Sequence, residues 1–174
     1  MQEHNQRLRF EQLILPHMDA AYNLARWLTH NDQDAQDMVQ EAYLRAYRFF
    51  HGFRGGNSRT WLLTIVRNTC YTWLQQQRVD ELITPFNEDL YDVECDNSNP
   101  EELLLHHIDQ QRLREALEAL PIEFREVIIL RELEELSYKE ISAIAKVPLG
   151  TVMSRLARAR QRLEHCLANQ ANEE

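Results

Sequence analysis

The chain has 174 residues, 28 Asp and Glu against 19 Lys and Arg, a formal net charge of −9 and 44% apolar residues. No run of 18 uncharged apolar residues occurs, which excludes a membrane-spanning helix, and the N-terminus M-Q-E-H-N-Q-R-L-R-F lacks the apolar core of a signal peptide, so a cytoplasmic location is expected. Cys70, Cys95 and Cys166 are odd in number and far apart, which argues against a disulfide framework and for free thiols.

With only four glycines, five prolines and long stretches of helical periodicity, the chain is expected to be all-α. Its acidity is local. Residues 81–110 hold nine acids and no Lys or Arg, and the rest of the chain has 19 of each sign, so the overall charge is a poor guide to partners.

Residues 8–30 read as a first helix, apolar at Leu13, Ala20, Ala21, Leu24, Ala25 and Leu28, with Pro16 imposing a kink or a late start. Thr29-His30-Asn31-Asp32 is a break. Asn31 or Asp32 can cap a second helix that runs to about Phe50, with Asp34 and Asp37 near its positive end. Ala35, Met38, Val39, Ala42, Tyr43 and Ala46 line its buried face, leaving Asp37, Gln40, Glu41 and Arg45 largely elsewhere. The glycines and Asn57 of H-G-F-R-G-G-N-S-R (51–59) mark a loop, which is no phosphate loop because no G-K-[ST] follows. Asn57 or Ser58 can cap a third helix, roughly 59–78, with Leu62, Ile65, Val66, Thr69 and Trp73 inward and Trp61, Arg67, Asn68 and Tyr71 left over.

Residues 42–79 contain no acid but six arginines (45, 48, 54, 59, 67 and 78), interleaved with aromatics. Arginines that track a backbone and aromatics that stack bases suit single-stranded nucleic acid. Each aromatic taken singly is better explained as core, and it is the lack of acid over the whole stretch that favours the nucleic-acid reading. Residues 81–99 lose periodicity and read as an acidic linker or an inert tether.

Asn99-Pro100-Glu101-Glu102 opens a helix to about Leu120, and Pro121 starts another with Phe124, Val127, Ile128, Leu130 and Leu133 inward. Ser137 and Glu140 form a capping box for a short helix with Tyr138, Ile141, Ile144 and Ala145 on one face. Lys146 and Val147 make a turn, and Pro148 suits the first position of a final helix. Val152, Leu156, Ala159 and Leu163 form its buried stripe, and Thr151, Arg155, Arg158 and Arg162 an outward one. This is the layout of a helix-turn-helix, whose second helix lies in the DNA major groove; an ordinary amphipathic pair with a solvated charged face is the plainer alternative. The expected organisation is two small helical domains, 1–80 and 101–168, joined by the acidic linker 81–100 and followed by a polar tail, 169–174.

D-A-Q-D-M-V-Q-E-A-Y-L-R-A-Y-R-F-F (34–50) resembles the polymerase-binding helix of bacterial RNA polymerase sigma factors. S-R-T-W-L-L-T-I-V-R-N-T-C-Y-T-W-L (58–74) resembles their promoter-melting helix, and residues 119–160 resemble their −35-reading domain. The order and lengths resemble the small extracytoplasmic-function (ECF) class. The resemblance implies a dissociable subunit that binds core RNA polymerase, through the beta-prime clamp helices and the beta flap, and directs it to promoter DNA. Asp37, Gln40, Glu41 and Arg45 would dock on polymerase. Phe53, Arg54, Asn57 and Ser58 would capture a flipped −10 base, and Arg59, Trp61, Arg67 and Asn68 would hold the melted strand. Thr151, Ser154, Arg155, Arg158 and Arg162 would read the −35 element. Met153 departs from the family, which often carries Lys or Arg there. The class also commonly pairs with an anti-sigma factor. The resemblance implies no metal, no cofactor and no catalytic residue.

Two other readings compete. A duplex-binding regulator would share the helix-turn-helix, but residues 1–80 show neither alternating strands nor an acidic phosphorylation pocket. An enzyme is disfavoured by the lack of G-x-S-x-G, H-E-x-x-H or Walker sequences.

Overall fold

A computed structural model of the chain describes residues 1–78 and 110–172. Among the described residues there is no strand, and no helix is long and apolar enough to cross a membrane. The linker 81–100, Cys95 and the start of the helix expected from Asn99 lie outside the described residues.

The expected first helix is two. α1 spans Gln2–Ile14, a 3-10 turn spans Leu15–His17, and α2 spans Met18–Thr29. Pro16 breaks the ladder because it has no N–H and its ring crowds the carbonyl four residues back. His30 closes α2 in the left-handed region at φ 61°, its N–H reaching Arg26 O at 2.9 Å. Asn31 caps α3 (Asp32–Phe49), its side-chain oxygen accepting from the Asp34 amide at 3.0 Å. Gly55 and Gly56 adopt φ of 96° and 92°, which only glycine takes without strain, so the loop can turn into α4 (Ser58–Gln77). Asn57 caps α4 by accepting from the Thr60 amide at 3.1 Å.

α2, α3 and α4 pack on one another around Ile14, Leu24, Leu28, Leu62, Leu63 and Val66, with alanines 35, 42 and 46 letting α3 approach closely. Phe10, Phe50, Phe53 and Trp61 extend that core: Phe53 stacks on Phe50 at 5.8 Å and tilts against Trp61 at 5.1 Å. Cys70 is buried and free, and burial pushes its thiol up to about 12.

In the second domain, α5 is Gln110–Ala119 and α6 is Ile122–Ile128, followed by a π turn at Ile129–Leu133. Every residue from Phe124 to Leu130 is buried. The π turn, closed by Glu134 N–H to Ile129 O at 3.2 Å, inserts one extra residue into the helical register. Leu133, expected inward, is therefore 54% exposed, and Glu134 and Leu136 are buried in its stead. α7 spans Tyr138–Ala145 with the Ser137–Glu140 capping box in place, and Lys146 ends it at φ 57°. α8 runs Leu149–Asn172; Pro148 precedes it, and its carbonyl accepts from both Thr151 and Val152. Val152, Leu156, Ala159 and Leu163 are buried, as their spacing requires. The expected tail continues α8 to Asn172, because C-L-A-N-Q-A-N contains no glycine or proline to stop it.

Candidate nucleic-acid interface

α4 carries two of the six arginines, Arg59 and Arg67, and neither is free. Arg67 Nε donates to Glu126 Oε1 of α6 at 2.6 Å, and Tyr71 Oη donates to Glu126 Oε2 at 2.7 Å. The Arg67 guanidinium also lies 3.8 Å from the Tyr71 ring centroid. Glu126 is 0% exposed. Burial alone would lower the Arg67 pKa, but Glu126 outweighs it and holds the guanidinium above its usual range. In the first turn of α4, Arg59 Nη2 donates to Glu134 Oε2 at 2.6 Å and to its backbone oxygen at 2.7 Å. At the cap itself, Asn57 Nδ2 and Thr60 Oγ1 both donate to Glu140 Oε2 at 3.0 Å. The other Glu140 oxygen accepts from Ser137 Oγ at 2.9 Å, the main reason that this carboxyl sits below its usual range.

A second contact runs the other way. Arg125 of α6 reaches the C-terminal end of α2, where Nη1 donates to Trp27 O at 3.0 Å and to His30 Nε2. Its Nη2 donates to Leu120 O at 3.1 Å. A cation there meets the negative end of the α2 dipole, although burial lowers the Arg125 pKa to about 10. His30 is held below its ordinary value by burial and then by Arg125.

The residues expected at −10 thus divide. Asn57, Arg59 and Arg67 share one face with Tyr71. Ser58 Oγ meets His17 Nε2 at 3.1 Å, and Arg54 is exposed on the loop. Asn68 and Trp61 are half-buried. Phe53 does not belong in the set as a surface contact: at 6% exposure it is core, held by Phe50 and Trp61.

In the helix-turn-helix, Thr151, Ser154, Arg158 and Arg162 are half-buried, with Ser154 Oγ donating to Thr151 O at 3.1 Å. Arg155, expected to face outward, is buried at 9% exposure, because α6 packs across this part of α8 and brings Glu123 near it. Met153 is 52% exposed on the first turns of α8.

Asp37 and Gln40 are exposed on α3, and Arg45 Nε pairs with Glu41 at 3.0 Å. This patch borders an apolar groove of about 820 Å³ lined by Phe10, Met18, Tyr22, Val39, Tyr43 and Leu44 among others. Among the described residues no cluster of His, Cys, Asp and Glu could hold a metal ion.

Sequence reasoning missed Glu126, Glu134, Glu140 as an interface residue, Arg125 and His30. Their partners lie 55 to 98 positions away. One signal was present: Glu126 opens onto the apolar run Val127-Ile128-Ile129-Leu130, and a carboxylate bordering such a run needs a partner once the helix is buried.

A helical module whose α4 presents Arg59 and Arg67, joined to a capped helix-turn-helix, defines a two-part nucleic-acid-binding protein. The comparisons narrow the class. Residues 13–79 match the family model for Sigma-70 region 2, and residues 110–163 match that for Sigma-70, region 4. The chain is 39% identical over 143 residues to the ECF RNA polymerase sigma-E factor of Escherichia coli, covering 76% of this chain and 73% of that one. It is 35% identical over 165 residues to the ECF RNA polymerase sigma factor SigE of Mycolicibacterium smegmatis, covering 94% of this chain but only 63% of that protein. Among solved structures, the sigma factor RpoE of Bartonella quintana, in complex with the anti-sigma factor NepR, is similar with a TM-score of 0.71 at 28% identity, over 92% of this chain and 97% of that one. The chain belongs to the ECF RNA polymerase sigma factors.

Proposed function

We propose that this chain binds core RNA polymerase and directs it to promoters whose −35 and −10 elements it reads with its two domains. The observation that carries this reading is the presence, in one chain and in this order, of a sigma region 2 and a sigma region 4. In this reading Asp37, Gln40, Glu41 and Arg45 dock on the beta-prime clamp helices, and the second domain meets the beta flap. Arg54, Asn57, Ser58, Arg59, Trp61, Arg67 and Asn68 capture and hold the melted −10 strand. Extruding a base costs a few kcal/mol, which a pocket must offset. Thr151, Ser154, Arg158 and Arg162 read the −35 duplex, which stays paired and accepts a helix in its groove. Two weak sites on one large partner gain by effective concentration. The likeness to a sigma factor bound by NepR supports a cognate anti-sigma factor as a further partner. The protein acts in the cytoplasm as a non-catalytic subunit.

The test is run-off transcription with purified core polymerase on a genomic promoter pool, with and without this protein. New transcripts that require the protein, and whose starts align on two shared elements, support the reading. Absence of both core binding and transcripts, from a folded protein free of inhibitor, rejects it in favour of a duplex-binding regulator.

A further inference from the structure

We propose that Glu126, Glu134 and Glu140 act as an intramolecular stand-in for a DNA strand, docking the second domain on the strand-holding face of α4 and shutting the free chain. The inference rests on the strand-holding role given to that face above.

The three carboxylates come from α6, from the end of the π turn and from the first turn of α7. Each meets a different part of α4: Glu140 the cap, Glu134 the first turn, Glu126 the middle. The donors they use are Asn57 Nδ2, Arg59 Nη2 and Arg67 Nε, the same groups that a phosphate or base edge would need. Residues 42–79 contain no acid, so this face has no counter-charge within its own stretch of chain. Both oxygens of Glu126 are taken by α4, one by Arg67 and one by Tyr71, so this buried carboxylate is matched to the first domain. Arginine forms charge-assisted bonds of similar kind with carboxylate and phosphate. The two occupants therefore exclude each other.

The contact is also built to open. Desolvating paired charges offsets much of their attraction, so a polar interface of this kind contributes little net stability for its many bonds. The Glu140 contacts at the cap are made to neutral donors and are exposed or part-buried, so water competes for them. A chain that spends most of its time closed has its apparent affinity for a strand reduced by the fraction that is open.

The experiment uses the full chain and the triple variant Glu126→Gln/Glu134→Gln/Glu140→Gln. Glutamine keeps each shape and still serves at the third position of a capping box. Small-angle scattering measures the separation of the domains, and fluorescence anisotropy measures binding of a mixed-sequence single strand of about 12 nucleotides. The expected result is a larger radius of gyration and at least about tenfold tighter strand binding by the variant. Adding Arg59→Ala and Arg67→Ala should abolish the gain. Should the triple variant misfold, Glu134→Gln/Glu140→Gln, which leaves the buried Glu126 untouched, is expected to shift both readouts in the same direction. A folded variant with an unchanged radius overturns the latch. Expansion without tighter strand binding overturns the occlusion. Run-off transcription by the same preparations then separates the two readings: transcription that survives Arg59→Ala/Arg67→Ala removes the strand-holding role itself, whereas its loss leaves that role standing.

Discussion

Arg67 and Glu126 lie 59 positions apart in sequence and meet at 2.6 Å, with the carboxylate wholly buried. Removing one partner of such a pair strands a buried charge, at a cost of about 3–5 kcal/mol, whereas apolar residues in both places are often neutral. Arg67→Ala is therefore expected to drive the domains apart and speed hydrogen exchange in α6 and α7, and Arg67→Met/Glu126→Leu to restore protection. Equal protection in the wild type and Arg67→Ala would show that the pair does not hold the domains together.

His30 gives the closed form a pH dependence. Its Nε2 accepts from Arg125, which can only donate, so the imidazole is neutral there. Burial, Arg125 of α6 and Arg26 of α2 all disfavour its protonation, and Glu118 of α5 opposes them. The pKa is lowered on closing, so the stabilising contribution is full above the ordinary value of 6.5 and is lost as pH falls through the lowered value. Scattering on either side of pH 6.5 should show expansion on the acid side. His30→Asn, which tolerates the left-handed backbone, should flatten that response.

Arg155 and Arg158 are expected to separate. Arg155→Ala removes a buried side chain and should lower both the melting temperature and transcription. Arg158→Ala, on a half-buried position, should reduce −35-dependent transcription while core binding and melting temperature stay near wild type. Transcription by Arg158→Ala that matches wild type on intact and mutated −35 elements would remove Arg158 from the reader.

The helix-turn-helix should depend on its cap and its core by different amounts. Ser137→Ala loses the side-chain acceptor of the Glu140 amide and should cost about 0.5–2 kcal/mol. Leu156→Ala empties a fully buried site and should cost about 2–5 kcal/mol. Denaturant titration of the full chain, followed by circular dichroism, checks both.

The parts legible in the sequence were those set by neighbours in the chain. Ser137 was placed as a cap, and Asn31 and Asn57 were each one of two adjacent candidates, because a cap bonds two or three residues away. The buried stripe of α8 followed from helical spacing alone. The errors came where one local rule met another. At Leu133 an inserted π residue moved the inward position to Glu134. At Phe53 the core preference of an aromatic met the surface role that the resemblance implied, and Phe50 and Trp61 close over it.

The sequence by itself determined the all-helical character, the neighbourhood of the caps and the two-domain family pattern, since backbone hydrogen bonds and apolar periodicity act over a few residues. Only the tertiary structure decided which arginines face solvent and which meet carboxylates. Arg59, Arg67 and Arg125 find their interdomain partners 59 to 98 positions away, and Arg155 is buried by the packing of another helix. Charge carries no periodicity that names its partner, so the same arginine pattern suits an open DNA-binding face and a closed one until the fold brings Glu126, Glu134 and Glu140 against it.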